Sequence, residues 1–228
     1  MKIRLKINGI IVVIAALVVI FFPGFFFRSY ERTIAGNVSE ITGLVFILLG
    51  QLMRISARGY KAENSTGGLR LINGGLYSVV RNPMYLGIAC IGVGVVLMVF
   101  KWWVVSIFLL FFIVRYIMLI YEEERILSTR FKKEYSEYTR RVPRIVPSLR
   151  SLFLRDVGEY FALKLSWIYK EIGSIVSLLF LVFFVKSWEI IRAAGIQMYI
   201  REMTAPAITV ALFVLFIAYL NKRTVKQA

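Results

Sequence analysis

Long, unbroken apolar runs recur along this chain, and few folds accept them. Residues 10–27 are one such run, and 102–114 another. A helix rises about 1.5 Å per residue, so about 20 apolar residues cross the roughly 30 Å hydrocarbon core of a bilayer. The runs are continuous and do not alternate, which favours helices over barrel strands. The chain is 59% hydrophobic with a mean hydropathy of +0.73, more apolar surface than a soluble domain can hide. The expected fold is therefore all-α, a polytopic transmembrane helical bundle of about six spans. These fall at 8–27, 40–55, 83–100, 102–121, 171–188 and 205–220.

Local signals set the ends of these spans. Pro23 and Gly24 kink the close of the first. Asn37, Ser39 and Glu40 offer a start for the second. The third and fourth form a tight hairpin around Phe100-Lys101-Trp102-Trp103, with the tryptophans in an interfacial belt. The opening Lys2, Arg4 and Lys6 followed by apolar residues are like a signal peptide, but no small-residue cleavage site follows Phe27-Arg28, so a retained span is expected.

The formal charge of +16 would suggest nucleic acid in a soluble protein. Here the basic residues fall in loops, so anionic lipid headgroups are the expected partner and nucleic acid is not. Of 29 Lys and Arg, one set of loops holds 22 and the other six. That places both termini in the cytoplasm, N-in and C-in, in the cytoplasmic membrane or the endoplasmic reticulum. The single Cys90 lies within a span and forms no disulfide. The absence of histidine removes the commonest metal ligand and general base, and no metal site is expected.

Three regions follow: an N-terminal hairpin (1–55), a central region (56–148), and an interfacial helix with a C-terminal hairpin (149–228). Residues 56–82 are rich in Gly and small polar residues and form a structured loop. Residues 122–142 continue the fourth helix without a Gly or Pro break. Ile126, Leu127, Phe131, Tyr135, Tyr138 and Val142 give this cytoplasmic segment one apolar face, and Pro143 and Pro147 stop it. A second amphipathic stretch, 149–169, places Trp167 and Tyr169 at headgroup level.

Three features carry candidate chemistry. In Arg81-Asn82-Pro83-Met84-Tyr85-Leu86-Gly87, Asn82 suits an N-cap and Pro83 a first turn. That describes a well-capped helix, or a helix start beside an arginine that receives a carboxylate or phosphate. Glu122-Glu123-Glu124, at the exit of the fourth span, is a solvated turn paired with cations or a carboxylate pair that faces a cation. Arg115 lies deep in that span, two turns before the glutamates. It either snorkels to the interface or is a third candidate catalytic residue with Glu123 and Glu124. Gln51 and Arg54 are able to join the same pocket. Gly87, Gly92 and Gly94 permit close approach by a helix or a ligand.

The run from Gly75-Leu76-Tyr77 to Arg81-Asn82-Pro83-Met84-Tyr85-Leu86-Gly87 resembles the signature of the isoprenylcysteine carboxyl methyltransferase and phospholipid methyltransferase superfamily. So does the later block of Glu123-Glu124, Leu127, Phe131, Tyr135, Tyr138, Val142-Pro143-Arg144 and Pro147. Together they cover about residues 54–148. The resemblance implies a small helical membrane bundle with S-adenosyl-L-methionine at its cytoplasmic end. Arg81, Asn82, Pro83, Tyr85 and Gly87 would border this cofactor, Glu123 and Glu124 would bind it, and Tyr135, Tyr138 and Arg144 would close over it. Family members usually have histidine where this chain has Asn82, which hydrogen-bonds but cannot serve as a general base. The implied reaction is methyl transfer to a lipophilic acceptor: a phospholipid amine, a prenylcysteine carboxylate, or another small acid or thiol. A steroid-type reductase using NADPH and a non-catalytic anionic-lipid scaffold are the rival readings. The last two spans lie outside the resemblance and would form a substrate wall or a homodimer contact.

Overall fold

The computed structural model describes residues 21–28, 33–147, 160–161 and 163–227. Most of the expected first span and residues 149–159 of the expected interfacial stretch lie outside the described residues. A one-turn helix α1 (Pro23–Phe26) precedes α2 (Ile34–Asn64), α3 (Pro83–Val99) and α4 (Trp102–Arg141). Then come α5 (Leu165–Ala194), α6 (Ile196–Glu202) and α7 (Thr204–Gln227). Two 3-10 turns, Thr66–Gly68 and Gly75–Ser78, lie between α2 and α3. Among the described residues there is no β-strand, only one isolated bridge between Phe27 and Phe100. Four helical stretches there are long and apolar enough to cross a membrane: α2, α4, Leu165–Ile191, and Ile196–Tyr219 across α6 and α7. The expected third span is present as α3, apolar throughout but 17 residues long.

Helix α2 begins earlier than the Asn37-Ser39-Glu40 signal suggested. Thr33 is its N-cap, and its Oγ1 accepts from the Gly36 amide at 3.1 Å. Ser39 and Glu40 instead bind across helices, Ser39 Oγ to the Leu97 carbonyl and Glu40 to Lys186 at 2.7 Å. The helix also runs past its apolar stretch to Asn64, because Ile55, Ala57 and Gly59 are buried on that extension.

The α2–α3 contact is set by glycine. A Cβ on Gly50 would lie 2.5 Å from the Gly87 carbonyl oxygen, and one on Gly94 2.5 Å from the Gly43 carbonyl oxygen. The two crossing points are seven residues apart on each helix, so one glycine face meets the other over two turns. Leu44, Ile47 and Leu48 of α2 pack beside it with Met98, Val99 and Val182. At the α3–α4 hairpin, Lys101 Nζ binds the Gly24 carbonyl at 2.8 Å and the Phe27 and Phe100 rings stack at 4.9 Å.

Helix α4 departs from the expected straight continuation. Lys132 has φ 40° and ψ −109°, which interrupts the helix between Phe131 and Lys133. Unbroken, the helix would hold residues 124 and 144 about 30 Å apart at 1.5 Å per residue. Instead Arg144 Nη2 lies 2.8 Å from Glu124 Oε2, so the last turns fold back on the exit of α4. A positive φ at a non-glycine residue costs about 1–3 kcal/mol. Burial of Tyr135, Tyr138 and Val142 against Leu71, Leu127 and Phe131 offsets that cost.

Helix α5 docks on α2. Trp167, expected at headgroup level, is instead 4% exposed, packed with Leu52, Ile55 and Leu163. Its Nε1 donates to Glu63 at 2.7 Å, so the indole's polar edge is satisfied by a protein carboxylate. Tyr169 is exposed. Arg58 pairs with Glu171 at 2.6 Å, and near the other end Lys186 bridges Glu40 and Glu189.

Candidate functional site

Helix α3 starts where α4 leaves its apolar stretch, and the fold-back after Lys132 covers the junction. Asn82 occupies the N-cap position of α3, with Pro83 in the first turn. Its backbone carbonyl accepts from the Leu86 amide, but its side chain makes no capping bond. Asn82 Nδ2 donates instead to the Arg144 carbonyl at 3.0 Å, and the Arg81 amide donates to the Pro143 carbonyl at 2.9 Å. These two bonds fasten the segment after α4 across the start of α3.

Under this fastening lies a cavity of about 360 Å³, within the ~300–1,000 Å³ usual for small-molecule sites. Arg81, Asn82, Pro83, Tyr85, Glu123, Glu124, Tyr135 and Tyr138 line it, so most of the expected site residues converge. Sequence reasoning passed over other residues of its wall. Lys61, Arg70 and Arg130 add cations, and Leu71, Ile72, Met84 and Ile88 add apolar surface beside Leu127 and Phe131. Arg130 was findable, since it lies seven residues after Glu123 and shares its helix face. Lys61 and Arg70 belong to an extension and a loop with no periodic signal.

The two glutamates have different surroundings. Glu124 Oε1 lies 3.1 Å from Arg81 Nη1, and its two oxygens receive Arg144 Nε at 3.2 Å and Nη2 at 2.8 Å. Its side chain is 12% exposed, so two guanidinium groups hold it in a nearly closed network. Arg144 also donates to Tyr121 Oη at 3.0 Å with its guanidinium over that ring. The hydrogen bonds it donates to Glu124 push the Arg144 pKa above its ordinary value, so it keeps its charge. Glu123 is more open: Tyr85 Oη donates to it at 3.0 Å, and Lys61 is 3.5 Å away. Glu122 is exposed and lies outside the cavity wall.

Tyr138 Oη donates to the Tyr77 carbonyl at 2.7 Å, which ties the folded-back helix to the 75–78 turn. Burial pushes the Tyr77 phenol well above its usual pKa, with the Glu123 charge adding to it. Burial does the same for Tyr138. Both phenols therefore stay protonated at neutral pH.

Three expected members stand elsewhere. Arg115 is exposed on α4 and does not line the cavity. Gly87 faces Gly50 and Arg54 on α2, where a side chain has no room. Its smallness serves helix packing, as does that of Gly94, while Gly92 makes room for Phe108. Arg144 lines a neighbouring opening. Gln51 and Arg54 are also outside the wall; Gln51 is buried, and Arg54 lies 3.9 Å from Glu171. No group of three metal-ligating residues occurs among the described residues.

Residues 38–134 match the family model described as phospholipid methyltransferase. No curated protein and no solved structure matches the chain. The matched segment contains α2 from residue 38 on, α3, both 3-10 turns and α4 to just past its break, and therefore most of the cavity wall.

Proposed function

We propose, from the match of residues 38–134 to the phospholipid methyltransferase family model, that the protein is an S-adenosylmethionine-dependent methyltransferase acting on a membrane lipid, with the cavity as its cofactor site facing the cytoplasm. One observation carries the reading. Glu123 presents a carboxylate to a cavity with apolar walls, while the adjacent Glu124 is occupied by two arginines.

The residues suit the cofactor's chemistry. It combines a sulfonium and an ammonium with a carboxylate and a flat, weakly polar base. Glu123 matches a cation. Lys61, Arg70 and Arg130 match a carboxylate. Leu71, Ile72, Met84, Ile88 and Phe131 match the base and exclude water. Among the described residues, Arg81 Nε is buried without a hydrogen-bond partner, a donor available to a ligand. When bound, the cofactor supplies an electrophilic methyl group. The protein aligns the acceptor with it and keeps water away. An ammonium acceptor must lose a proton first, and Glu123 is the cavity carboxylate able to take it. The Asn82 departure fits this division: Asn82 holds the closing segment through Arg144 and is not needed as a base.

Glu123→Gln keeps size and hydrogen bonding but removes the charge. Loss of a charge-assisted contact worth about 1.5–3 kcal/mol lowers S-adenosylmethionine affinity about ten- to a hundredfold. Glu122→Gln leaves it unchanged. Titration of detergent-purified protein with S-adenosylmethionine and NADPH, followed by methyl transfer to membrane lipids, tests the reading. Preferential binding of NADPH, or wild-type behaviour of Glu123→Gln, overturns it.

A further inference from the structure

Beyond Glu124 a second, more open cavity of about 620 Å³ adjoins the first and shares Arg81, Glu124 and Tyr135 with it. Tyr121, Arg125, Ser128, Thr139 and Arg144 complete its wall. We propose that this vestibule is a phosphate-ester subsite that holds the headgroup phosphate of a membrane lipid. The inference rests on the phospholipid methyltransferase reading and assigns the acceptor's phosphate to a place separate from the cofactor.

Charge is the first argument. Three guanidinium groups and one carboxylate line the vestibule, which leaves two positive charges over. Arg81 and Arg144 share Glu124, whereas Arg125 has no carboxylate partner among the described residues. Donor geometry is the second. Arg144 commits one N–H from each of its three nitrogens to Glu124 and Tyr121. Two of its five N–H groups remain, in the planar fork that suits phosphate oxygens. Tyr121 Oη accepts from Arg144, so its own proton is available to donate.

Depth is the third argument. Tyr121 comes nineteen residues after Trp102 on the same helix. At 1.5 Å per residue that is about 29 Å, close to the thickness of the hydrocarbon core. With Trp102 at the opposite interface, a vestibule opening beside Tyr121 meets the layer where lipid phosphates lie. The fold-back after Lys132 builds the site, because it brings Thr139 and Arg144 beside Tyr121 and Arg125.

The test uses the full chain in a non-ionic detergent and two soluble probes, dihexanoyl phosphatidic acid and dihexanoylglycerol. They differ by the phosphate, and neither carries an amine to methylate. The phosphatidic acid is expected to bind at least tenfold more tightly. Arg125→Gln, at an exposed position, is expected to weaken it about tenfold through loss of a charge-assisted contact, with S-adenosylmethionine affinity unchanged. Equal binding of both probes overturns the subsite, as does wild-type phosphatidic acid affinity in both Arg125→Gln and Arg125→Glu. Inorganic phosphate that binds as tightly as phosphatidic acid overturns the lipid source in favour of a free anion. A failure to methylate any lipid amine would count against the methyltransferase reading alone, because these probes bind without reacting.

Discussion

Adjacent glutamates on α4 perform different work, and burial separates them. Glu124 is 12% exposed and paired with both Arg81 and Arg144, whereas Glu123 is 39% exposed, with Lys61 at 3.5 Å. Removing one partner from a nearly buried ionic network leaves uncompensated charge, at a cost of roughly 3–5 kcal/mol. An exposed pair contributes about 0–1 kcal/mol. Thermal unfolding in detergent is expected to show a clear loss of stability for Glu124→Gln and almost none for Glu123→Gln. Equal melting temperatures for the two variants would mean that the arginines find other partners. The sequence presents three like residues in a row, and only the family spacing separates Glu122 from the other two. Nothing in the sequence separates Glu123 from Glu124, since their difference comes from Arg144, twenty residues on and returned by a turn that carries no Gly or Pro. Asn82 shows the same limit. Its place at the start of α3 was legible from Pro83, but its partner is a backbone carbonyl on the returning segment.

At the scale of elements, the apolar runs locate α3, α4 and the two C-terminal helices, because a run near the bilayer's thickness is helical even where, as in α4, the helix continues well beyond it. They undercounted α2, whose last turns are buried by tertiary packing and not by lipid. Trp167 packs against protein for a related reason. A tryptophan near a helix end fits an interfacial belt, yet Glu63 and Leu163 enclose this one. The glycines of α3 permit close approach, which α2 makes at Gly87 and Gly94 and Phe108 of α4 makes at Gly92. Gly50→Val places side-chain atoms against the Gly87 carbonyl and Ile91, where the backbone cannot yield. Overpacking of this kind costs typically 1–3 kcal/mol. Gly173→Ala on α5 meets nothing within 4 Å and serves as the control. The expected result is a lowered melting temperature for Gly50→Val and an unchanged or raised one for Gly173→Ala, since alanine favours a helix by about 0.5–1 kcal/mol over glycine. A valine variant as stable as the control would show that α2 and α3 separate easily.

For the whole molecule, the distribution of charge and the position of the cavity bear on one question, the orientation in the membrane. Lys61, Arg70, Arg81 and Arg130 surround the cavity at one end of the α2–α3–α4 bundle. Lys101 and the Glu40–Lys186–Glu189 cluster mark the other. Loops rich in Lys and Arg remain on the cytoplasmic side during insertion, so the cavity end is expected to face the cytoplasm, where S-adenosylmethionine is available. The chain has a single thiol, Cys90, and Cys90→Ser provides a clean background. In that background Thr224→Cys, near the end of α7, should react with an impermeant maleimide only from the cytoplasmic side. Trp102→Cys, at the exposed start of α4, should react only from the opposite side. Together the two positions distinguish orientation from simple accessibility. If the pattern is reversed, the basic residues do not set the topology and the cavity opens away from the cofactor supply. If Trp102→Cys and Thr224→Cys label from the same side, the number of crossings between them is even. The path from α4 through α5 to α7 would then contain one crossing fewer or one more than its three long apolar stretches imply.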